Sequence, residues 1–306
     1  MFPLKMNHDL ILIRYGELAL KSAFVRRQFE SALTRNIKQV FQTQNIPYTL
    51  QKQWGRIYLH TKEIDKSIPL LTKIFGITSV SPAVQTTADI QEISCQAILI
   101  AKEHIKKNNI FALRVTRTGN HCFTSQDIAI KIGDDIGKAT KARVDLTHPD
   151  VELFIEIRDN KAFLFLEKIR GPGGLPLGTQ GNVVALIDTK ESLLASWYLM
   201  RRGCTVTFVS LDESLTDSIN SFLNTWQVNF PIIVVSDKKN LTSTLQNIIV
   251  ERNADALVTG HTLFSATALA EITNFKNQLN YPVLSPLCVM DKKEIRQKCT
   301  SLGISL

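Results

Sequence analysis

VVALIDTKESLLASWYLMRRG, residues 183–203, runs from an apolar segment through a polar turn into an amphipathic segment. The run Val183–Ile187 is too short for a helix and does not alternate, which predicts a strand buried on both faces of a parallel sheet. Asp188-Thr189 turns the chain, and Glu191–Arg202 reads as a helix with Leu193, Leu194, Trp197 and Tyr198 on one side. Strand signals recur at Thr205–Val209, Ile232–Val235, Ala256–Thr259 and around Val283, with helical spacing between them and over Lys292–Leu302. This alternation predicts a doubly wound parallel α/β domain over residues 183–306. A strand, a short turn and a helix start is where such folds hold phosphate on free backbone N–H groups.

Five glycines precede that strand, at Gly171, Gly173, Gly174, Gly178 and Gly181. Gly173 and Gly178 have the spacing of a Walker A loop, but Thr179-Gln180 stands where Lys-Ser/Thr is required. A dinucleotide fingerprint would follow the strand rather than precede it. Residues 170–182 therefore read as a flexible glycine-rich linker.

Two α+β regions lie before the linker. In residues 1–80 the signals run strand (Asp9–Arg14), helix (Ala23–Phe41, capped by Ser22), a hairpin around Trp54-Gly55, helix (Ile64–Phe75) and strand (Ile77–Val84). That order, β-α-β-β-α-β, is the ferredoxin-like arrangement. Val25, Phe29, Leu33, Ile37 and Val40 make one apolar face of the first helix, and Arg27, Arg35 and Lys38 fall on other faces. Pro82 marks the last strand as an edge or a bulge. Residues 81–169 read as helix, strand (Phe111–Arg117), helix (Ser125–Ala139) and a hairpin with an Asp159-Asn160 turn.

The 306 residues carry a net charge of +8. Residues 1–170 hold 25 Lys+Arg against 17 Asp+Glu, the whole excess, while residues 171–306 hold 11 of each. A basic half beside a neutral half points to a polyanionic partner for the first half. No apolar run approaches a membrane span, and the N-terminus lacks a signal-peptide pattern, so the cytoplasm is the expected location. The five cysteines form no CxxC pair, which argues against a zinc knuckle or a disulfide framework, and most are expected to be buried.

Six stretches in order resemble the tRNA 4-thiouridine synthetase (tRNA sulfurtransferase) family. They are Arg14-Tyr15-Gly16-Glu17-Leu18-Ala19-Leu20-Lys21 with Arg26 and Phe29; the region Arg114–Glu167 with Asp145-Leu146-Thr147-His148-Pro149-Asp150; Gly173–Thr179; Leu199–Gly203; Val258-Thr259-Gly260; and Pro282–Leu287 with Asp291–Ile295. The resemblance implies a ferredoxin-like domain over 1–80, a THUMP RNA-binding domain over 81–169, and a PP-loop-like, Rossmann-like domain over 183–306. It implies that the first two bind tRNA. In the family the third adenylates a uridine with ATP, and a cysteine persulfide supplies sulfur.

The chain departs from that pattern at the chemistry. A PP-loop reads Ser-Gly-Gly-x-Asp-Ser, and Ile187-Asp188-Thr189-Lys190-Glu191-Ser192 stands in its place. Both glycines, which let backbone approach phosphate, are gone. Ser192 remains, with Glu191 for the Asp and Lys190 as a cation that can meet a phosphate. Asp188 and Glu191 are spaced as an N-cap and its N3 partner, which predicts a self-capped helix start presenting two carboxylates. The family's Thr-Gly-Glu motif reads Thr259-Gly260-His261, Ser285 replaces an Arg, and no cysteine occurs between Leu211 and Thr259. His261 reads as a polar residue at a strand end rather than as a ligand.

The resulting expectation is a tRNA-binding protein acting in tRNA thiolation, with the adenylating loop and acceptor cysteine lost, no catalytic residue assigned among Ile187, Asp188, Thr189, Glu191 and Ser192, and no cofactor or metal. The alternative is an active tRNA sulfurtransferase that uses ATP and magnesium through an altered loop, with sulfur supplied by a partner. Expected RNA contacts are Lys21, Arg26, Arg56, Arg114, Arg117, Lys131, Lys138, Lys141, Arg143 and Arg170, with Trp54 exposed for stacking. Expected partners are tRNA and a sulfur-carrier or tRNA-modifying protein, and the resemblance also points to a homodimer.

Overall fold

The computed structural model describes residues 10–16, 22–53, 55–236 and 240–305. In chain order the elements are β1 (Leu10–Tyr15), α1 (Ala23–Thr43), β2 (Thr49–Gln53), β3 (Arg56–His60), α2 (Ile64–Leu71), β4 (Ile77–Thr87), α3 (Ile90–His104), β5 (Ile110–Thr118), α4 (Ser125–Thr140), β6 (Arg143–Val144), β7 (Val151–Arg158), β8 (Lys161–Phe165) and β9 (Ile169–Arg170). They continue as β10 (Asn182–Ile187), α5 (Ser192–Arg201), β11 (Thr205–Ser210), α6 (Thr216–Thr225), β12 (Ile232–Val234), α7 (Leu241–Glu251), β13 (Ala256–Val258), α8 (Ala266–Gln278), β14 (Val283–Leu284) and α9 (Lys292–Leu302). By internal contacts the chain forms two compact units: one of residues 1–14, 46–68 and 79–170, the other of residues 15–45, 69–78 and 171–306.

The first unit is built on a sheet in the order β2-β3-β1-β4-β8-β7-β5-β6, with β9 also paired to β4. The segment β4-β1-β3-β2 is the ferredoxin-like strand order. Pro82 was expected at an edge or bulge, yet β4 lies inside the sheet. Its Ser79 and Val80 pair β9, and its Val84–Thr87 pair β8, so the missing N–H of Pro82 falls between two pairings. Alternation along β5, β7 and β8 sends Phe111, Leu113, Leu153, Ile155, Ile157 and Leu164 into one core with α3 and α4. The other sheet face buries Leu10, Leu12, Tyr58, Ala83, Phe163 and Phe165. Tyr58 stacks on Phe163 at 4.8 Å, and Phe154 on Phe165 at 5.2 Å. The β7–β8 hairpin turns at Asp159-Asn160 as expected, with Asp159 at φ 50°.

Glu156 is the charged centre of that second face. Its carboxylate is approached by Arg56 Nε at 2.8 Å, Arg158 Nη1 at 3.1 Å and Arg14 Nη2 at 3.3 Å, and Arg14 also donates to Ser81 Oγ. Burial pushes the Glu156 carboxyl up, but Arg56 and Arg14 outweigh it and hold the group below the usual carboxylate range.

The second unit holds a fully parallel sheet in the order β12-β11-β10-β13-β14. Val183, Ala185 and Ile187 of β10 enter a core with Trp197, Phe208, Phe222 and Trp226, while Val184 and Leu186 enter another with Leu245, Ile249 and Phe275. A strand buried on both faces needs apolar residues without alternation, which is the pattern of Val183–Ile187. The chain winds outward from β10 to β12 and then returns to β13. The winding reverses between β10 and β13, at the topological switch point where such sheets take ligands.

The glycines before β10 are not a flexible linker. Gly173 donates its N–H to Ile77 O, Leu175 donates to Arg201 O, and Gly178, Thr179 and Gln180 all donate to Gly203 O. Gly174 sits at φ +72°, and a Cβ there would stand 2.0 Å from Arg201 O. Gly171 and Gly174 are glycine because backbone lies against backbone there, a requirement that composition alone does not reveal.

Candidate functional site

The chain leaves β10 at the switch point, and residues 188–191 form the turn into α5. The first amides of that helix are taken by the turn itself: Ser192 N donates to Thr189 O, Leu193 N to Lys190 O and Leu194 N to Glu191 O. Glu191 occupies the N-cap position in helical conformation and makes no side-chain cap bond. The expected capping box of Asp188 and Glu191 is therefore absent. Carbonyls of the turn satisfy the amides, and the two carboxylates go elsewhere. Glu191 adds its charge near Cys299, whose thiol is pushed up to about 11 by burial and then by Glu191.

Asp188 turns inward. Its Oδ1 accepts from Ser192 Oγ, and its Oδ2 lies 3.1 Å from His261 Nε2. Thr189 Oγ1 is 3.2 Å from Ser192 Oγ. His261 follows β13, and its Nε2 also stands 3.0 Å from Glu271 Oε2 of α8. His261 is buried, and its Nδ1 has no hydrogen-bond partner among the described residues. Burial raises the Asp188 carboxyl, but hydrogen bonds from His261 and Ser192 hold it below its ordinary range. The bond to Asp188 raises the His261 imidazole against burial, with the charges of Asp188 and Glu271 adding to it. Gly260 closes the other side: a Cβ there would lie 2.4 Å from Ser192 Oγ and 2.7 Å from Ser192 Cα. Thr259 Oγ1 is 3.0 Å from Ser285 Oγ, joining the ends of β13 and β14.

In sequence His261 is a lone strand-end residue, and this network does not show there. Its signal was the adjacent Thr259-Gly260, but the pairing with Asp188 spans 73 residues, beyond any local pattern.

The expected RNA contacts are dispersed over the chain. Arg56 and Arg114 are committed within the first unit: Arg56 to Glu156, and Arg114 to Glu152 at 2.7 Å and to Leu146 O. Arg117 donates to Gly119 O and lies 3.2 Å from His121 Nδ1, and Lys131 pairs with Asp135 one helical turn on. Lys138 on α4, Lys141 at its left-handed C-cap and Arg143 on β6 stand exposed together at one end of the helix, and Arg170 on β9 is exposed separately. Arg26 lies on α1 in the other unit. Lys21 and Trp54 lie outside the described residues.

The thiols correct another expectation. Only Cys204 and Cys299 are buried, whereas Cys95 and Cys122 are exposed and Cys288 is half-buried. Among the described residues no group of three or more His, Cys, Asp and Glu side chains could hold a metal ion. No described helix is long and apolar enough to cross a membrane.

Comparison with known proteins agrees with this architecture. Residues 10–81 match the ThiI ferredoxin-like domain, residues 87–167 the THUMP domain, and residues 227–305 the thiamine biosynthesis protein (ThiI) family. A probable tRNA sulfurtransferase of Methanobrevibacter smithii is 31% identical over 97% of this chain and 87% of its own length. One from Methanothermobacter thermautotrophicus is 33% identical over 97% and 85%. Among solved structures, the PH1313 protein of Pyrococcus horikoshii superposes with a TM-score of 0.82 at 28% identity, covering 96% of this chain and 99% of its own. A 4-thiouridine synthetase–RNA complex with bound ATP superposes at 0.79 and 25% identity, covering 96% and 85%.

Proposed function

Because the chain belongs to the tRNA sulfurtransferase family, we propose that it binds tRNA and serves tRNA thiolation as a binding protein in which the adenylating loop has been lost. The observation that carries this reading is the Asp188–Ser192–His261 network, with Gly260 against it, at the place where the fold would accept a phosphate. A phosphate there would have to displace a half-buried carboxylate that already holds the Ser192 and His261 donors, and its charge would repel that carboxylate. The family match of the third domain begins at residue 227, downstream of this turn. The two buried cysteines have thiols raised by burial, Cys204 and Cys299, and neither suits a persulfide carrier.

In this reading Lys138, Lys141 and Arg143 meet RNA phosphates, and Arg170 contributes separately. Arg56 and Arg114 shape the face from behind, through Glu156 and Glu152. The sulfur chemistry then belongs to a partner, a sulfur carrier or a tRNA-modifying protein in the cytoplasm, and a homodimer is the expected assembly.

A second reading keeps the chain as an ATP- and magnesium-dependent sulfurtransferase. The retained Ser192 and Lys190 favour it, as does the likeness to a synthetase whose structure contains ATP. Pyrophosphate release from ATP in the presence of tRNA separates the two. The expected result is no release above the protein-free rate. Release that depends on tRNA and disappears in Ser192→Ala would establish the second reading.

A further inference from the structure

A groove runs along the exposed side of α1, wholly within the second unit. It is an open trough of about 690 Å³ whose walls include Phe24, Arg27, Arg35 and Gly178. Arg35 and Gly178 are shared with an adjoining pocket of about 210 Å³, walled by Phe75 and Trp226. Among the described residues neither cavity has an Asp or Glu in its lining.

Four features of this groove ask for the same ligand. Phe24 is 66% exposed, a large aromatic ring left in solvent on a helix whose other face is packed. Arg27 and Arg35 carry the only charges among the described residues of the lining, and neither forms an ion pair with a described carboxylate. Trp226 is 4% exposed and, stacked on Phe75 at 5.2 Å, gives the adjoining pocket an aromatic wall. The lining also holds the amides of Gln39 and Asn229, which can meet the polar edge of a base.

We propose that this groove binds a single-stranded RNA segment, one base stacking on Phe24, the phosphates pairing with Arg27 and Arg35, and a following base entering the Trp226 pocket. The inference rests on the tRNA-binding reading above and adds a second contact to it, on a different unit from Lys138, Lys141 and Arg143. Along α1, Phe24 and Arg35 are separated by about 16 Å at 1.5 Å per residue, room for about two to three nucleotides of an extended strand. Cations without carboxylates favour a polyanion over a protein segment, and an exposed ring beside an aromatic pocket suits bases without selecting a sequence. Duplex RNA buries its base faces in the stack and leaves Phe24 nothing to stack on.

The test uses the full chain, a labelled single-stranded hexaribonucleotide, an RNA duplex of the same composition and a tRNA transcript, with affinities read by fluorescence anisotropy at several salt concentrations. The expected result is that the hexamer binds, that Phe24→Ala weakens it about tenfold, and that Arg35→Gln weakens it and lowers the salt slope by about one. Both side chains are on the surface, and thermal melting of each variant confirms the fold. A hexamer that does not bind, or that binds both variants as it binds the wild type, overturns the groove assignment. Wild-type chain that fails to bind tRNA at all defeats the broader reading instead. Variants that keep their RNA affinity but lose a protein partner would make this a protein-docking groove and overturn the RNA assignment.

Discussion

Glu156, buried, and Asp188, half-buried, are both carboxylates held below their ordinary range by neighbouring donors, but the donors differ in kind. Glu156 faces three guanidiniums, which stay charged at every pH the protein meets. Asp188 faces a serine hydroxyl and an imidazole, which can lose its proton. The first arrangement ties strands β1, β3 and β7 together permanently. The second fills a ligand crevice with a pair whose strength depends on conditions.

Replacing each carboxylate in turn sharpens that contrast. Glu156→Gln leaves three guanidiniums without their central charge, and a loss of about 3–5 kcal/mol is expected from chemical denaturation. Asp188→Asn removes one of the two ionic partners of His261, leaves Glu271, and keeps a polar group beside Ser192. A smaller loss of about 1–2 kcal/mol is expected. Equal losses in the two variants would erase the distinction.

The smallest expected effect is the dependence on pH. The raised folded-state pKa of His261 makes its contribution fully present below the unfolded value near ~6.5, and the contribution is lost as pH rises through the folded value. Asp188 is depressed, so its contribution is present above the unfolded value near ~3.9 and is lost as pH falls through the folded one. The stability gap between wild type and His261→Gln should therefore be widest between about pH 4 and 6.5 and narrower at pH 9, by about 1 kcal/mol. A gap that stays constant from pH 5 to 9 would mean that the contacts of His261 with Asp188 and Glu271 are not ionic. Glu156→Gln should show no such alkaline loss, because its partners do not titrate there.

What could be read in the sequence follows the range of the interactions involved. Val183–Ile187 declared a doubly covered strand because burial on both faces is written in consecutive residues. The strand–helix alternation gave the doubly wound sheet, and the β-α-β-β-α-β order the ferredoxin-like one, for the same reason. The turn was misread because Asp188 and Glu191 have cap spacing, while the partner that claims Asp188 lies on another strand end. The glycines of residues 171–181 looked like slack, because what makes Gly171 and Gly174 necessary is a carbonyl distant in sequence, that of Ile77 and that of Arg201. Arg56 and Arg114 looked like RNA ligands, because their acidic partners are distant in sequence, Glu156 and Glu152.

Strand β4 carries one further consequence. A single run of residues, Ile77–Thr87, pairs β9 over its first half and β8 over its second, so no peptide bond near residue 80 separates two finished sheets. Cutting there would expose two raw hydrogen-bonding edges, each an invitation to aggregate. The strands of the first unit are thus tied into one cooperative block, which should melt in a single transition.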